Sequence, residues 1–353
     1  QFAAMVATAA AGLISSDVRA TDVVAILIED PLEHWLATMA VAHMGATVFC
    51  VSKSMSGTQR ELLLSRTHCG WLLSDERKVF SGLRQVNWSD IRNVKDNGSL
   101  APAIVDANKP WIYVSGSGST GQPKILPVTH EQQLHRANLA RKWAPYDDTD
   151  VLVSLVSMHF YAAKQRFLEA MVIGSSTFVG EVGRVDYQPE VSDNSVNIIY
   201  GTVVHLELLL GSLPEDENQC LNKLKALMIG GSTVSMNLRD KIKQKVTDNL
   251  YVLWGTNESH TATITKPSEV FLTPHSVGHL FPGFSIKIVD GNGQSVPAGI
   301  DGELRLASPT IIHGYLGDED ATKKAFHDQW FHTGDLGHLT TDGQLVHRGR
   351  VDE

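Results

Sequence analysis

No apolar run in this sequence approaches the about 20 residues that a membrane-crossing helix needs. Cysteine is scarce: Cys50, Cys69 and Cys220 show no paired metal-ligand spacing, and an odd count builds no disulfide framework. A reducing, cytoplasmic setting is the simplest one for such a chain. An excess of basic residues is also lacking. With 30 Lys and Arg against 39 Asp and Glu the formal charge is −9, which argues against a general nucleic-acid binder but leaves room for a local basic pocket. There is no internal repeat. The opening Gln1-Phe2-Ala3-Ala4-Met5 has neither an initiator nor the charged front of a signal peptide, and it reads as the middle of a helix. The expectation is that the N-terminal edge is missing and that the C-terminal edge is cut as well. What remains is ordinary for a globular protein: 353 residues, 42% apolar and 20% charged, enough for roughly two to three structural units.

The most informative stretch is Ser115-Gly116-Ser117-Gly118-Ser119-Thr120-Gly121-Gln122-Pro123-Lys124. Glycines at this density let several backbone N–H groups converge on one anion. The hydroxyls add short donors, and the lysine adds a point charge suited to phosphate. Trp111 to Val114 before it and Ile125 to Val128 after it are β-like, so the run reads as a phosphate-gripping loop between two strands. A flexible Gly/Ser turn is the competing reading. The Walker pattern fails, because Gln122 and Pro123 separate Gly121 from Lys124. Gly116, Gly118 and Gly121 have the Gly-x-Gly-x-x-Gly spacing, but no helix opens after them, as a dinucleotide fold would require.

Around this loop the periodicity predicts a βαβ pattern. Helices are expected over 3–14, 31–45, 59–67, 130–143, 164–172, 203–211 and 235–247, with Thr129 as an N-cap. Strands are expected over 23–28, 46–51, 70–73, 151–156, 176–179, 198–200, 226–229 and 251–254. After about residue 270 short strands alternate with turns such as Pro282-Gly283 and Asp290-Gly291-Asn292-Gly293, the texture of a small antiparallel unit. The fold expected is α/β, with two αβαβα-type subdomains of mostly parallel sheet plus that β unit. Its boundaries fall at 1–180 for the first subdomain with the phosphate loop, 181–270 for the second and 271–353 for the β-rich part.

Five motifs in one order then point to a family: the glycine loop, Trp254-Gly255-Thr256-Asn257-Glu258, Gly302-Glu303-Leu304, Thr333-Gly334-Asp335 and Gly349-Arg350-Val351-Asp352. Together they resemble the adenylate-forming (AMP-binding) superfamily of acyl- and aryl-CoA synthetases, peptide-synthetase adenylation domains and beetle luciferases, over nearly the whole chain. The resemblance implies an AMP-forming acid–thiol ligase. In such an enzyme a carboxylate attacks the α-phosphate of ATP, giving an acyl-adenylate and pyrophosphate, and a thiol of CoA or of a carrier protein's phosphopantetheine then displaces AMP. It also assigns roles. Ser117, Gly118, Ser119, Thr120, Gly121 and Lys124 hold the β- and γ-phosphates. Glu258 ligates Mg²⁺, a hard cation that prefers oxygen. Trp254 stands where a tyrosine usually stacks on adenine, and Gly255 follows it. Asn257 replaces a threonine that touches the α-phosphate. Gly230, Gly231 and Ser232 line the adenine, Asp335 and Arg350 meet the ribose hydroxyls, and Asp352 falls at the hinge. Gly116 and Ile125 depart from the family's usual threonine and glycine, which alters the loop's flexibility.

For the acyl site, Met158-His159-Phe160-Tyr161-Ala162 is similar to a segment of acyl- and aryl-CoA ligases whose histidine sits beside the substrate carboxylate. A core histidine is the alternative. No acidic residue lies between 157 and 164 to meet a substrate amine, so a plain small carboxylic acid fits better than an amino acid. Lys164 and Arg166 either greet a second carboxylate or form a solvated helix face. The chain stops after the hinge motif, and the resemblance implies a small further C-terminal domain carrying a lysine. Without that domain, ATP or AMP binding with impaired adenylation is expected. Three readings stay open: a CoA ligase, an adenylation domain loading a carrier protein, or a nucleotide-binding module with little catalysis.

Overall fold

The computed structural model describes residues 1–51, 55–76, 82–92, 94, 100–116, 123–180, 184, 186–214 and 218–351. The chain divides into two compact units. One comprises Gln1–Leu134, Met158–Lys164 and Ile312–Thr322, and the other His135–Ser157, Gln165–Ile311 and Lys323–Glu353.

The first unit contains α1 (Phe2–Ser15), β1 (Val23–Leu27), α2 (Pro31–His43), β2 (Thr47–Cys50), α3 (Gly57–Arg66), β3 (Trp71–Ser74), β4 (Arg84–Asn87), α4 (Trp88–Arg92), β5 (Pro110–Gly116), β6 (Lys124–Thr129) and the start of α5 (His130–Trp143). Its sheet runs β4-β3-β1-β2-β5-β6. All neighbours are parallel except β5 and β6, which form an antiparallel pair. β1 lies inside the sheet with Val24 to Leu27 buried, so its unbroken apolar run is what a strand covered on both faces requires. Leu27, Phe49, Leu63, Leu72 and Ile125 meet in one core cluster. Helix starts are written locally. Asp30 accepts from the Glu33 amide at 2.8 Å with Pro31 next to it. Thr129 accepts from the Gln132 amide at 3.1 Å while the Gln132 side chain accepts from the Thr129 amide at 3.0 Å, a reciprocal cap for α5.

The remaining elements are β7 (Val151–Ser154), α6 (Tyr161–Ile173), β8 (Ser176–Phe178), α7 (Gln188–Ser192), β9 (Ile198–Thr202), α8 (Val203–Ser212), β10 (Ala226–Gly230), α9 (Met236–Lys245), β11 (Leu250–Thr256), β12 (His260–Ile264), β13 (Ser276–Leu280), β14 (Ser285–Val289), β15 (Gly302–Ala307), α10 (Glu319–Ala325), β16 (Phe326–His327), β17 (Trp330–Leu339) and β18 (Leu345–Arg350). Their strands form one 12-stranded sheet in the second unit, ordered β14-β15-β17-β18-β13-β12-β11-β10-β9-β7-β8 with β16 on β17. From β8 to β11 the pairs are parallel, and from β11 to β14 they are antiparallel.

Two features differ from the expectations drawn from sequence. β7 and β8, grouped there with residues 1–180, hydrogen-bond into the second sheet through β9, because βαβ periodicity does not say which sheet a strand joins. The antiparallel texture begins at β12, before residue 270, and continues the parallel sheet through hydrogen bonds to β11. β12 is a polar His-Thr-Ala-Thr-Ile stretch that carries little strand signal. Among the described residues no helix is long and apolar enough to cross a membrane.

Candidate functional site

In the second unit the parallel strands end together, and open α/β sheets bind ligands at the carboxyl ends of their strands. β10 ends at Gly230, packed against β11. The parallel register pairs Ile229 with Val252, and a Cβ on Gly230 would lie 3.5 Å from the Leu253 carbonyl oxygen. Gly231, at φ +89°, therefore leaves the strand at the level where β11 presents Trp254. Gly231 and Ser232 are exposed.

β11 itself is bent. The register with β12 shifts between Trp254 and Gly255, a β-bulge. A Cβ at Gly255 would lie 2.1 Å from the His260 carbonyl oxygen, so only glycine allows this approach. Residues 257–259 then form the turn carrying Asn257, exposed, and Glu258, half-buried. Thr256 and Ser259 lace the turn: Ser259 Oγ accepts from the Thr256 amide and Thr256 Oγ1 from the Ser259 amide, both at 3.2 Å.

Trp254 is 7% exposed, and its indole N–H donates to Asp335 Oδ2 at 3.1 Å. Asp335 on β17 is directly opposite Arg350 on β18. The Arg350 guanidinium donates to Asp335 Oδ1 at 2.8 Å and to the Thr333 carbonyl at 2.9 Å, and His347 Nε2 lies 3.6 Å from Asp335 Oδ2. Two side chains from separate motifs, Trp254 and Arg350, thus converge on the buried carboxylate of a third, with His347 beside them. A hydrogen bond to a charged acceptor contributes about 1.5–3 kcal/mol, and this one fixes the edge of the indole.

In the first unit the glycine run connects β5 to β6. Ser117, Gly118, Ser119, Thr120 and Gly121 lie outside the described residues, as does Asp352. Lys124 opens β6 with its Nζ 4.6 Å above the centre of the Tyr315 ring. Beside it Arg66 donates to the Pro123 carbonyl at 2.6 Å, and the Leu316 amide donates to the Ile125 carbonyl at 2.8 Å. His159 points its Nδ1 at the Val51 carbonyl, 2.9 Å away. A carbonyl only accepts, so Nδ1 carries the proton and Nε2 is the basic nitrogen. Nε2 is 3.5 Å from Glu29, and the ring meets His34 edge-on at 4.9 Å. Burial holds the His159 pKa below its ordinary value, opposed by Glu29.

Lys164 and Arg166 form no solvated face. Lys164 is fully buried and donates to His34 Nε2 at 3.0 Å and to the Met158 carbonyl; burial lowers its pKa. Arg166, 3% exposed, forks onto Glu169 at 2.8 and 3.0 Å. His260 Nε2 lies 2.9 Å from the same carboxylate. These buried charges, with Arg136, escape a reading from sequence because helical spacing alone does not tell which face of α5 or α6 is inside. The one available signal is the mixture of charged and apolar residues right round α6.

The family model for AMP-binding enzymes matches residues 1–316. The chain belongs to that adenylate-forming family. Among curated relatives, the salicyl-AMP ligase / salicyl-S-ArCP synthetase of Mycobacterium tuberculosis is 29% identical over 278 residues, covering 76% of this chain and 48% of the relative. The 2-succinylbenzoate–CoA ligase of Bacillus licheniformis is 25% identical over 336 residues, covering 92% of this chain and 68% of the relative. The chain thus spans about half the length of the first of these, and 6% of the hybrid synthetase fsa1 of Fusarium. Among solved structures, the O-succinylbenzoate coenzyme A synthetase of Bacillus subtilis with AMP superposes with a TM-score of 0.89 at 20% identity, over 100% of this chain and 73% of that one. ATP-bound MatB of Rhodopseudomonas palustris gives 0.89 at 17%, over 99% and 73%. These likenesses show the fold of the adenylate-forming family.

Proposed function

We propose that this chain activates a carboxylic acid as its acyl-adenylate. A carboxylate oxygen attacks the α-phosphorus of ATP, the bond to the β-phosphate breaks and pyrophosphate leaves. In a second step a thiolate, that of CoA, attacks the acyl carbonyl and AMP departs. The observation that carries this reading is the convergence of Trp254, Asp335 and Arg350, from three strands of one sheet. An ionised carboxylate has about four lone-pair positions. Indole, guanidinium and imidazole face three of those on Asp335, leaving capacity for a ribose hydroxyl. Trp254 offers a rigid ring beside it for adenine, with Gly231 and Ser232 at the neighbouring strand end. Asn257 is an amide donor for the α-phosphate, Lys124 a cation for the phosphate tail, and His159 the group beside the substrate carboxylate.

Glu258 suits Mg²⁺. Among the described residues no cluster of three or more His, Cys, Asp or Glu could hold a metal, and magnesium characteristically takes one or two carboxylates and completes its shell with phosphates and water. Bound there with the nucleotide, the ion would neutralise charge on the phosphate oxygens. Glu258 would hold it on a turn whose main chain is fixed on several sides.

Acid-dependent exchange of labelled pyrophosphate into ATP, with hydroxamate formation across a panel of acids, tests the reading. Exchange is expected with at least one acid, and Glu258→Gln should slow it by about tenfold or more without weakening AMP binding. ATP binding with no hydroxamate from any acid would instead favour a nucleotide-binding module. Likeness to a salicyl-carrier-protein synthetase favours a second reading, in which a carrier protein's phosphopantetheine is the acceptor. Supplying CoA or a holo-carrier protein separates the two.

A further inference from the structure

The turn that bears Asn257 and Glu258 is held from behind by a cation the sequence motifs do not include. Arg136, on α5, is completely buried. Its Nη2 donates to the Glu258 carbonyl oxygen at 2.7 Å, across 122 positions of sequence, and its Nε donates to the Thr310 carbonyl oxygen at 2.9 Å. Thr310 closes the loop by donating its own hydroxyl to the Ser259 carbonyl at 2.9 Å. One planar guanidinium thus spans two main-chain oxygens, and the residue it grips second grips the turn one position further on. Burying a guanidinium against carbonyls is costly compared with an apolar side chain, and the return is geometric: a fork fixes two acceptors at once. The turn's own ends are equally constrained, by the close approach at Gly255 and by His260 at φ +69°.

We propose that Arg136 is a positioning residue for the metal-side turn, setting the main chain from which Glu258 and Asn257 reach the nucleotide. The structural part stands on these hydrogen bonds; its consequence for nucleotide rests on the reading of Glu258 as the Mg²⁺ ligand. The experiment has two arms, run on Arg136→Met, Arg136→Lys and Thr310→Val. Hydrogen exchange of the amides of residues 257–260 should quicken by about tenfold or more in Arg136→Met. Arg136→Lys should fall between, since an ammonium lacks the fork, and Thr310→Val should loosen the turn less. Titration with Mg·ATP and with metal-free AMP should then show Mg·ATP affinity falling about tenfold in Arg136→Met while AMP stays within about twofold. A residue needed only for folding would weaken both ligands alike. Exchange at the parent rate in the Arg136 variants, or equal loss of both ligands, overturns the proposal. If Arg136→Met does not fold, Arg136→Lys and Thr310→Val carry both arms. If the parent chain binds neither nucleotide, the functional reading fails while hydrogen exchange still decides whether Arg136 sets the turn.

Discussion

His260 combines backbone strain with burial. It holds φ +69°, is 5% exposed and faces Glu169, itself gripped by Arg166. Burial, the largest cause, lowers its pKa to about 4 against the pull of Glu169. The folded protein therefore keeps this imidazole neutral where the unfolded chain binds a proton. Stability follows with a definite sign: the contribution is complete above the unfolded value of about 6.5 and is lost progressively as pH falls from there towards 4, by up to about 3 kcal/mol. Urea unfolding at stepped pH values should show this slope, and His260→Asn, which tolerates the left-handed backbone, should flatten it. The same neighbourhood shows where sequence reading stops. Arg166 looks like surface on a helical wheel, and only its bidentate pair with Glu169 reveals an interior charge. Trp254, Asp335 and Arg350 were legible because each belongs to a motif. That the indole N–H donates to Asp335 was not, since it joins two strands 81 positions apart that are not neighbours in the sheet.

At the scale of elements, β11 and α5 contrast a tertiary constraint with a local one. Gly255→Ala places a methyl 2.1 Å from the His260 carbonyl, so the bulge must open. Thr129→Ala merely removes the hydroxyl half of the reciprocal cap of α5. Denaturant unfolding should put the first at about 2–3 kcal/mol and the second near 1 kcal/mol. The cap of α5 was readable from Thr129 and the helical spacing after it. Strands β1, β9 and β10 were readable from continuous apolar runs, which a doubly covered strand demands. β12 was not: its His and Thr residues pair because the turn at 257–259 returns the chain antiparallel to β11, a consequence of the bulge and not of local propensity.

At the scale of the molecule, the second unit joins a parallel half and an antiparallel half in one sheet. Within this unit, the proposed nucleotide residues Gly231, Ser232 and Trp254 come from strand ends of the first half, and Asp335 and Arg350 from β17 and β18 of the second. Nucleotide should therefore stabilise the fold by linkage. At about 100-fold over its dissociation constant, AMP or Mg·ATP should add about 2.7 kcal/mol, seen as a rise of a few degrees in Tm for a chain of this length. Chelating the metal should reduce the shift given by ATP and leave that given by AMP unchanged; equal loss for both would separate Glu258 from the ion.

Composition and motif order were enough to determine an α/β chain with strands on either side of the glycine run, and to nominate the candidate site residues. Those features arise from local chemistry: the backbone freedom of glycine, capping by Thr129 and Asp30, and apolar runs that need cover on both faces. Tertiary structure alone decided that β7 and β8 join the second sheet, that Arg136 is buried against the turn at 257–259 and Glu169 against His260, and that Asp335 is shared by Trp254 and Arg350. Each of these depends on which surfaces meet after the chain has closed over long distances, and no short window of sequence contains that information.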